Sequence, residues 1–281
     1  VFLASVGELS LMLLTGYAGQ VSLGHAGLLA AGAFVTGILA KEINAPFWVT
    51  IPASALSGAL LGVIFGLPSL RLRGLYLAVS TLALHFVVVY LGGEYEAKRG
   101  FSILLGAALV TLLLCLNLLR SRTGRAWRAI RAHETVAEAL GISIAGYKLL
   151  AFVISSAMAS VAGALFAYYR GFVSVEAFSL FLSIQYVAMI IIGGTGSLLG
   201  ALLGAVFVTL FPYVIEATLL SLPNAQAYAG VLFAVNYAAF GVVMILFLLF
   251  EPLGLVGIWQ RVQTYFLLWP FRFKPVSGAG K

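Results

Sequence analysis

The sequence predicts an all-α fold, a polytopic bundle of helices that cross a lipid bilayer. Hydrophobic residues make up 62% of the chain and charged residues only 9%, whereas a soluble domain carries about 25% charged residues. The mean hydropathy is +1.10, and the apolar residues are collected in long runs. Because backbone groups must be paired inside lipid, runs of this length are predicted to be helices.

The runs predict nine spans, most of which reach the roughly 17–25 residues that a crossing helix needs. The seventh is the shortest and is expected to be tilted or broken. A tenth span is expected before Val1, because the sequence starts inside an apolar segment. The nine are Phe2–Tyr17, Leu23–Ala40, Phe47–Leu67, Leu75–Gly92, Phe101–Leu119, Leu149–Tyr169, Phe178–Ile192, Leu198–Ile215 and Tyr228–Phe250.

A glycine-rich stretch, Gly16–Gly37, links the first two spans and carries several polar residues. Its early glycines make a regular helix doubtful, so Gln20, Ser22 and His25 are expected beside broken backbone. Broken helices at membrane depth are tolerated only against protein or a water-filled cavity. The alternative is a cytoplasmic turn capped by Ser22, in which His25 is a hydrogen-bonded packing residue.

Small residues recur at four-residue spacing inside three of the spans. Such ridges let helix backbones approach closely, so tight helix packing is predicted there. The three ridges are Gly58, Gly62 and Gly66; Ala159, Gly163 and Ala167; and Gly196, Gly200 and Gly204.

Two ionisable residues fall inside predicted spans. His85 lies in the middle of the fourth span near Thr81, and Glu8 lies in the first. An ionisable group at membrane depth suggests a functional site. For His85 the alternative is a neutral side chain with satisfied hydrogen bonds, and Glu8 could lie near the end of its span.

The long polar segment Ser121–Lys148 separates the fifth and sixth spans. The pattern predicts one amphipathic helix from Arg125 to Leu140, ended by Gly141, then a short helix toward Lys148 capped by Ser143. An ion pair between Arg131 and Glu134 is predicted at i, i+3. The apolar face is Ala126, Ile130, His133, Ala137 and Leu140, opposite Arg128, Arg131, Thr135 and Glu138. A face of this kind indicates docking, and the alternative is a solvated basic loop that only fixes orientation.

Placing this loop in the cytoplasm puts twelve lysines and arginines inside and four outside, as the positive-inside rule requires. The C-terminus of this multi-pass protein then lies inside. Residues 1–258 form the predicted transmembrane domain, and residues 259–281 a cytoplasmic or interfacial tail rich in aromatic residues.

Several classes of protein are excluded or weakened. Cys115 is the single cysteine, so the chain has no internal disulfide or thiolate metal site, and no metal is predicted. No zinc-protease or hydrolase motif occurs, and the terminal SGAGK does not meet the requirements of a phosphate loop. The net charge of +7 belongs to loops between spans, so nucleic acid is not a predicted partner. No span carries two carboxylates, which weakens proton coupling but leaves sodium coupling open.

Four stretches together resemble the branched-chain amino acid ABC transporter permeases of the LivM type. The resemblance covers nearly the whole chain, and its motifs are specific in combination. The stretches are GYAGQVSLGHAG (Gly16–Gly27), LPSLRLRGLYLAVSTLA (Leu67–Ala83), the segment from Ser121 to Ala167, and IIGGTGSLLGALLGA (Ile191–Ala205). The segment around Leu91–Gly100 is shorter than the family's external segment, either because the loop is shortened or because residues are absent from this sequence.

The resemblance implies a permease subunit of an ABC importer, not an enzyme, that moves branched-chain or related small amino acids inward by alternating access. Its implied partners are a second homologous permease, two ATPase subunits that bind the ATP, and a periplasmic substrate-binding protein. No cofactor is expected in this chain itself. Rival interpretations are a urea or short-amide permease, an ion-coupled secondary transporter, and a non-transporting scaffold.

Under this interpretation the loop couples the chain to an ATPase, although the seven-residue spacing from Glu134 to Gly141 departs from the Glu-Ala-Ala loop of other importers. The predicted coupling residues are Arg125, Arg128, Ile130, Arg131, Glu134, Ala137, Glu138, Leu140 and Gly141. The predicted residues of the translocation path or its gate are Gln20, Ser22, Gly24, His25, Thr81, His85, Gly193, Gly194 and Gly196.

Overall fold

The predicted all-α fold is confirmed in a computed structural model, which describes residues 1–69, 81, 104–220, 232–251 and 253–268. Those residues contain helices and no β-strand. The helices are α1 (Phe2–Leu11, continued by a π-helical segment Met12–Tyr17), α2 (His25–Glu42), α3 (Phe47–Ser69), α4 (Leu104–Arg120), α5 (Arg122–Ala132), α6 (Glu134–Ala139), α7 (Ile144–Arg170), α8 (Leu180–Gly193), α9 (Leu198–Leu220), α10 (Leu232–Phe250) and α11 (Gly254–Leu268). A short 3₁₀ turn, Glu176–Phe178, precedes α8.

The long helix α7 is the centre around which α1, α2 and α3 pack. It has 27 residues and is therefore about 40 Å long. Two of its buried serines bond to neighbouring backbones: Ser155 Oγ donates to the carbonyl oxygen of Ser10 at 2.7 Å, and Ser160 Oγ donates to that of Leu28 at 2.9 Å. These bonds explain how polar residues are accommodated in an otherwise apolar helix.

The predicted small-residue ridges are confirmed as packing surfaces. Gly62 of α3 lies so close to α7 that a Cβ atom on it would sit 2.9 Å from Val153 Cα. Gly163 of α7 packs directly on the backbone of Leu29, and Gly204 of α9 packs on the backbone of Met189 in α8. A side chain at any of these positions would have to push two helices apart.

Replacing Gly62 with leucine should therefore sharply reduce the amount of folded protein recovered from membranes. Overpacking a close contact costs roughly 1–3 kcal/mol or more, and here the obstacle is backbone. Yield and thermal stability after detergent extraction measure the effect. Leu60 on the same helix is 62% exposed, so Leu60→Met is the matched control. Equal yields from the two variants would contradict the packing role of Gly62.

A second group of helices is built on the pair α8 and α9, against which α11 packs. Gly254, which starts α11, lies against the Ile192 carbonyl, and its φ of +65° is one that glycine adopts readily. The parts of α10 and α11 at Ala238–Phe250 and Gly254–Tyr265 are bent by 50°. The predicted boundary between residues 258 and 259 falls within α11, and it stays a prediction.

Three described helices are long and apolar enough to cross a membrane, or four if the bent pair is one span. The three are Phe47–Leu67, Ile144–Arg170 and Leu198–Thr218. The predicted first and seventh spans correspond to the shorter apolar helices Phe2–Tyr17 and Leu180–Gly193. Of the predicted fourth span, only Thr81 is among the described residues. The chain is thus a helical membrane protein, and the full count of nine is not established by the described helices.

Candidate functional site

The chain between α1 and α2 forms the broken segment that its glycines predict. After the π-helical segment Met12–Tyr17, residues 18–24 have no regular helix, and α2 begins at His25. Gln20 and Ser22 in this segment are buried, and Gln20 Oε1 and Ser22 Oγ have no hydrogen-bond partner among the described residues. Buried polar groups normally find partners, so these two oxygens are available to a ligand or to ordered water.

Two candidate residues hold the end of this segment in place. The Thr81 hydroxyl accepts a hydrogen bond from the Leu23 amide at 3.1 Å. Gly24 lies against the Thr81 carbonyl so closely that a side chain has no space there. Thr81 and Gly24, which the sequence analysis placed together among the residues of the path or gate, are therefore in contact. His85, from the same group, lies outside the described residues.

His25 is packed rather than exposed to a path. Its Nε2 lies 2.9 Å from both Ser10 Oγ and the Gly7 carbonyl oxygen. The ring meets Tyr186 edge to face, with centroids 5.3 Å apart. This arrangement, in which His25 joins α1, α2 and α8, matches the packing alternative for this residue.

The Gly193–Gly196 turn joins α8 to α9 with backbone conformations that suit glycine. Gly194 and Gly196 have φ values of +111° and +89°, which other residues adopt at a cost. The Gly196 amide donates to Met12 Sδ at 3.4 Å. The turn therefore lies directly against the π-helical end of α1.

Arg131 connects the polar loop to both glycine-rich elements. Its Nη1 donates to the Gly16 carbonyl oxygen, a contact across 115 residues of sequence. The same guanidinium lies against Gly196, where any side chain would meet it. The predicted Arg131–Glu134 ion pair is wrong, because Glu134 instead accepts from Lys148 Nζ at 2.6 Å. The structure thus brings one of the predicted coupling residues into contact with the predicted gate.

The loop itself differs from the predicted single helix Arg125–Leu140. The helix stops at Ala132, because His133 is extended with φ −153° and ψ 107°, and α6 begins at Glu134. Gly141 has φ +80° and ends α6 as predicted. Ser143 precedes a helix without capping it through its side chain, and that helix is the long α7 rather than a short one.

Most of the apolar face of the loop packs inside this chain and not, as predicted, against a partner protein. Ala126, Ile130 and Ala137 are buried within the chain, where α5 packs against α4 and α7 and α6 packs against α5. These three residues therefore cannot reach a partner protein. The large apolar side chains that remain exposed on α6 and just after it are Val136, 55% exposed, and Leu140, 74% exposed.

Sequence reasoning missed Trp127, which anchors the loop. Its side chain is fully buried and its Nε1 donates to the Tyr147 carbonyl oxygen at 2.8 Å. Arg128 and Arg125 donate to the carbonyls of Leu119 and Arg120, at 3.1 and 2.9 Å. They therefore stabilise the C-terminal end of α4. The tryptophan in a basic loop was the available signal for this anchor.

The structure defines a helical membrane protein with an irregular segment between α1 and α2 and a polar loop packed against it. The chain belongs to the family "Branched-chain amino acid transport system / permease component", whose family model matches residues 3–95 and 92–250. The family is one of transport components rather than enzymes. No solved structure matches the chain significantly.

The curated relatives of the chain include branched-chain amino acid permeases and an autoinducer 2 import permease. The chain is similar to the high-affinity branched-chain amino acid transport system permease protein LivM of Salmonella typhimurium, 32% identical over 245 residues, which cover 70% of this chain and 58% of the relative. The probable LivM of Methanocaldococcus jannaschii is 28% identical over 74% of this chain and 67% of its own length. The autoinducer 2 import permease LsrC of Klebsiella pneumoniae is 33% identical over 54% of this chain and 51% of the relative. The chain thus spans 58% of the first relative's length.

Proposed function

We propose that this chain is the transmembrane subunit of an ATP-driven importer for branched-chain or related small amino acids. The observation that carries the proposal is the contact of Arg131, from the polar loop, with Gly16 and Gly196. A loop that is hydrogen-bonded to a broken helix and in contact with a glycine turn is suited to transmit movement between them. Family membership and the names of the relatives support the amino-acid substrate.

The proposed assembly has three kinds of partner besides lipid: a second homologous permease, two ATPase subunits, and a periplasmic substrate-binding protein. ATP is bound by the ATPases, and this chain itself holds no cofactor. The loop 121–148 and the C-terminus face the cytoplasm of a bacterial-type inner membrane, and nine spans cross it. The charge distribution of the loops supports this orientation.

The test is uptake by the full-length protein, purified with its partners and reconstituted in liposomes. We expect labelled L-leucine to enter only when ATP and the binding protein are both supplied. Urea uptake under the same conditions is the comparison for the short-amide rival. The proposal fails if the chain alone takes up leucine along an ion gradient, or if no ATPase copurifies with it.

A further inference from the structure

Helix α11 is attached at its first turn to the Gly193–Gly196 turn, which is part of the predicted gate. A Cβ atom on Gly194 would overlap the carbonyl oxygen of Leu253 and lie 3.4 Å from Val256 Cβ. Arg131 of the polar loop lies against the same turn. Helix α11 therefore starts at the end of the bundle that carries the polar loop, and in the proposed orientation this is the cytoplasmic end.

Beyond its first turn, α11 is largely uncovered by the described part of the chain. The parts Ala238–Phe250 and Gly254–Tyr265 are bent by 50°, so α11 does not continue in the direction of α10. An ion pair of 2.6 Å between Arg261 Nη1 and Glu251 Oε1 links α11 to the end of α10 across this bend. Every side chain from Ile258 to Tyr265 is exposed, so another surface can contact this part of α11.

The exposed part of α11 has an apolar face and a polar face. Three apolar residues recur at the i, i+4 and i+7 spacing of a helical stripe, with a fourth beside them. The apolar face consists of Ile258, Val262, Tyr265 and the neighbouring Trp259. The opposite face consists of Gln260, Gln263 and Thr264. Aromatic residues on the apolar side of such a helix are typical of helices that lie in the plane of the membrane interface.

The apolar face of α11 follows an exposed apolar row on α10. Ile245 and Leu249 of α10 and Leu253 at the bend are all exposed, at four-residue spacing. Because α10 is an apolar helix of a membrane protein, we expect this row to contact acyl chains. A crossing of the membrane by α11 itself is unfavourable, since it would place Arg261 in hydrocarbon. The surface of the bilayer is therefore the partner whose chemistry fits both faces of α11.

We propose that α11 lies flat in the cytoplasmic headgroup layer of the membrane and thereby holds the Gly193–Gly196 turn in position. The apolar face enters the leaflet, the polar face stays in water, and Leu253 and Val256 connect the attached helix to the turn. This connection goes beyond the interfacial tail that the sequence predicts. The role of the turn as a gate rests on the proposed function, whereas the contact of α11 with lipid does not.

The first test measures which face of α11 contacts lipid, in the assembled transporter in lipid nanodiscs and in a Cys115→Ala background. A fluorophore on Val262→Cys or Gln260→Cys is quenched by iodide in water, or by lipids with a nitroxide on the upper or the terminal part of the acyl chain. The upper nitroxide should quench Val262→Cys at least about threefold more than Gln260→Cys, because an interfacial helix places its apolar face roughly 5–10 Å into the leaflet. Iodide should show the opposite order.

Three outcomes would overturn the contact with lipid. Quenching of both cysteines mainly by iodide would place α11 in water. Strongest quenching of Val262→Cys by the terminal nitroxide would show that α11 crosses the membrane. Shielding of Val262→Cys from both the lipid quenchers and iodide, seen only when ATPase subunits are bound, would show that a protein covers the apolar face.

The second test asks whether the attachment to the membrane positions the turn. Thr195 is the exposed residue of the turn, so the rate at which a thiol reagent modifies Thr195→Cys reports on the turn. Val262→Asp should detach α11 and raise this rate at least about threefold, because a charged side chain is costly in lipid. Loss of nitroxide quenching at Ile258→Cys checks the detachment. Gln263→Asp adds the same charge to the polar face and should leave both readouts unchanged, as should Val262→Leu.

Equal rates of Thr195→Cys modification in Val262→Asp and Gln263→Asp would overturn the positioning of the turn by α11. Neither the quenching nor this rate depends on transport. If both results hold and ATP-driven leucine uptake is absent, the proposed function is refuted while the attachment of α11 to the membrane stands.

Discussion

Replacing Arg131 with glutamine should lower ATP-driven leucine uptake by roughly 10- to 100-fold. The reason is that a hydrogen bond from a charged donor contributes about 1.5–3 kcal/mol, and 1.4 kcal/mol is tenfold in an equilibrium. Glutamine cannot span from α5 to the Gly16 carbonyl while also resting on Gly196. Uptake and ATP hydrolysis measured on the same proteoliposomes should separate, with hydrolysis retained and transport lost.

The matched control for this variant is Arg125→Gln on the same helix. Arg125 is exposed, and its Nη1 donates to the Arg120 carbonyl within the same region of the chain. The Arg125→Gln variant therefore removes one positive charge, as Arg131→Gln does, without affecting a contact with either glycine-rich element. If the two variants transport equally well, Arg131 is only a surface arginine, and the connection between the loop and the gate is not used.

Replacing Leu140 with aspartate should abolish the stimulation of ATP hydrolysis and lower uptake by about 30-fold or more. Leu140 is 74% exposed, so the substitution leaves the fold of the chain undisturbed. A central apolar residue in a helix-in-groove contact costs about 2 kcal/mol or more when lost, and burying aspartate there adds a desolvation penalty. Copurification of the ATPase subunits and ATP hydrolysis are the measurements.

Thr135→Asp is the control, because Thr135 is also exposed on α6 but is already polar. Ala137→Asp is a poor test of docking, since Ala137 is buried against this chain's own helices and a charge there would unfold the loop. Full binding and hydrolysis in Leu140→Asp would show that the exposed end of α6 contacts no ATPase.

The all-α membrane fold could be predicted from the sequence, because the chain is 62% hydrophobic and long apolar runs pair their backbone groups in lipid as helices. The break after Tyr17 and the close approach at Gly62 could be predicted for a related reason. Both depend on what glycine allows locally, namely irregular backbone and the absence of a side chain. Such effects are carried by the residues themselves, so sequence suffices to locate them.

The contacts of the loop and the lining of a cavity between α1, α7, α8 and α9 were decided by the tertiary structure alone. Helical periodicity identified an apolar face on the loop but not what covers it, and Ala126, Ile130 and Ala137 prove to be covered by this chain. Arg131 was paired with its sequence neighbour Glu134, yet its partner is Gly16. Ala4 and Arg170 lie far apart in sequence and line one cavity only because α1 and α7 pack together. Periodicity fixes the direction of side chains around one helix axis, whereas the neighbour in that direction is fixed by how the helices assemble.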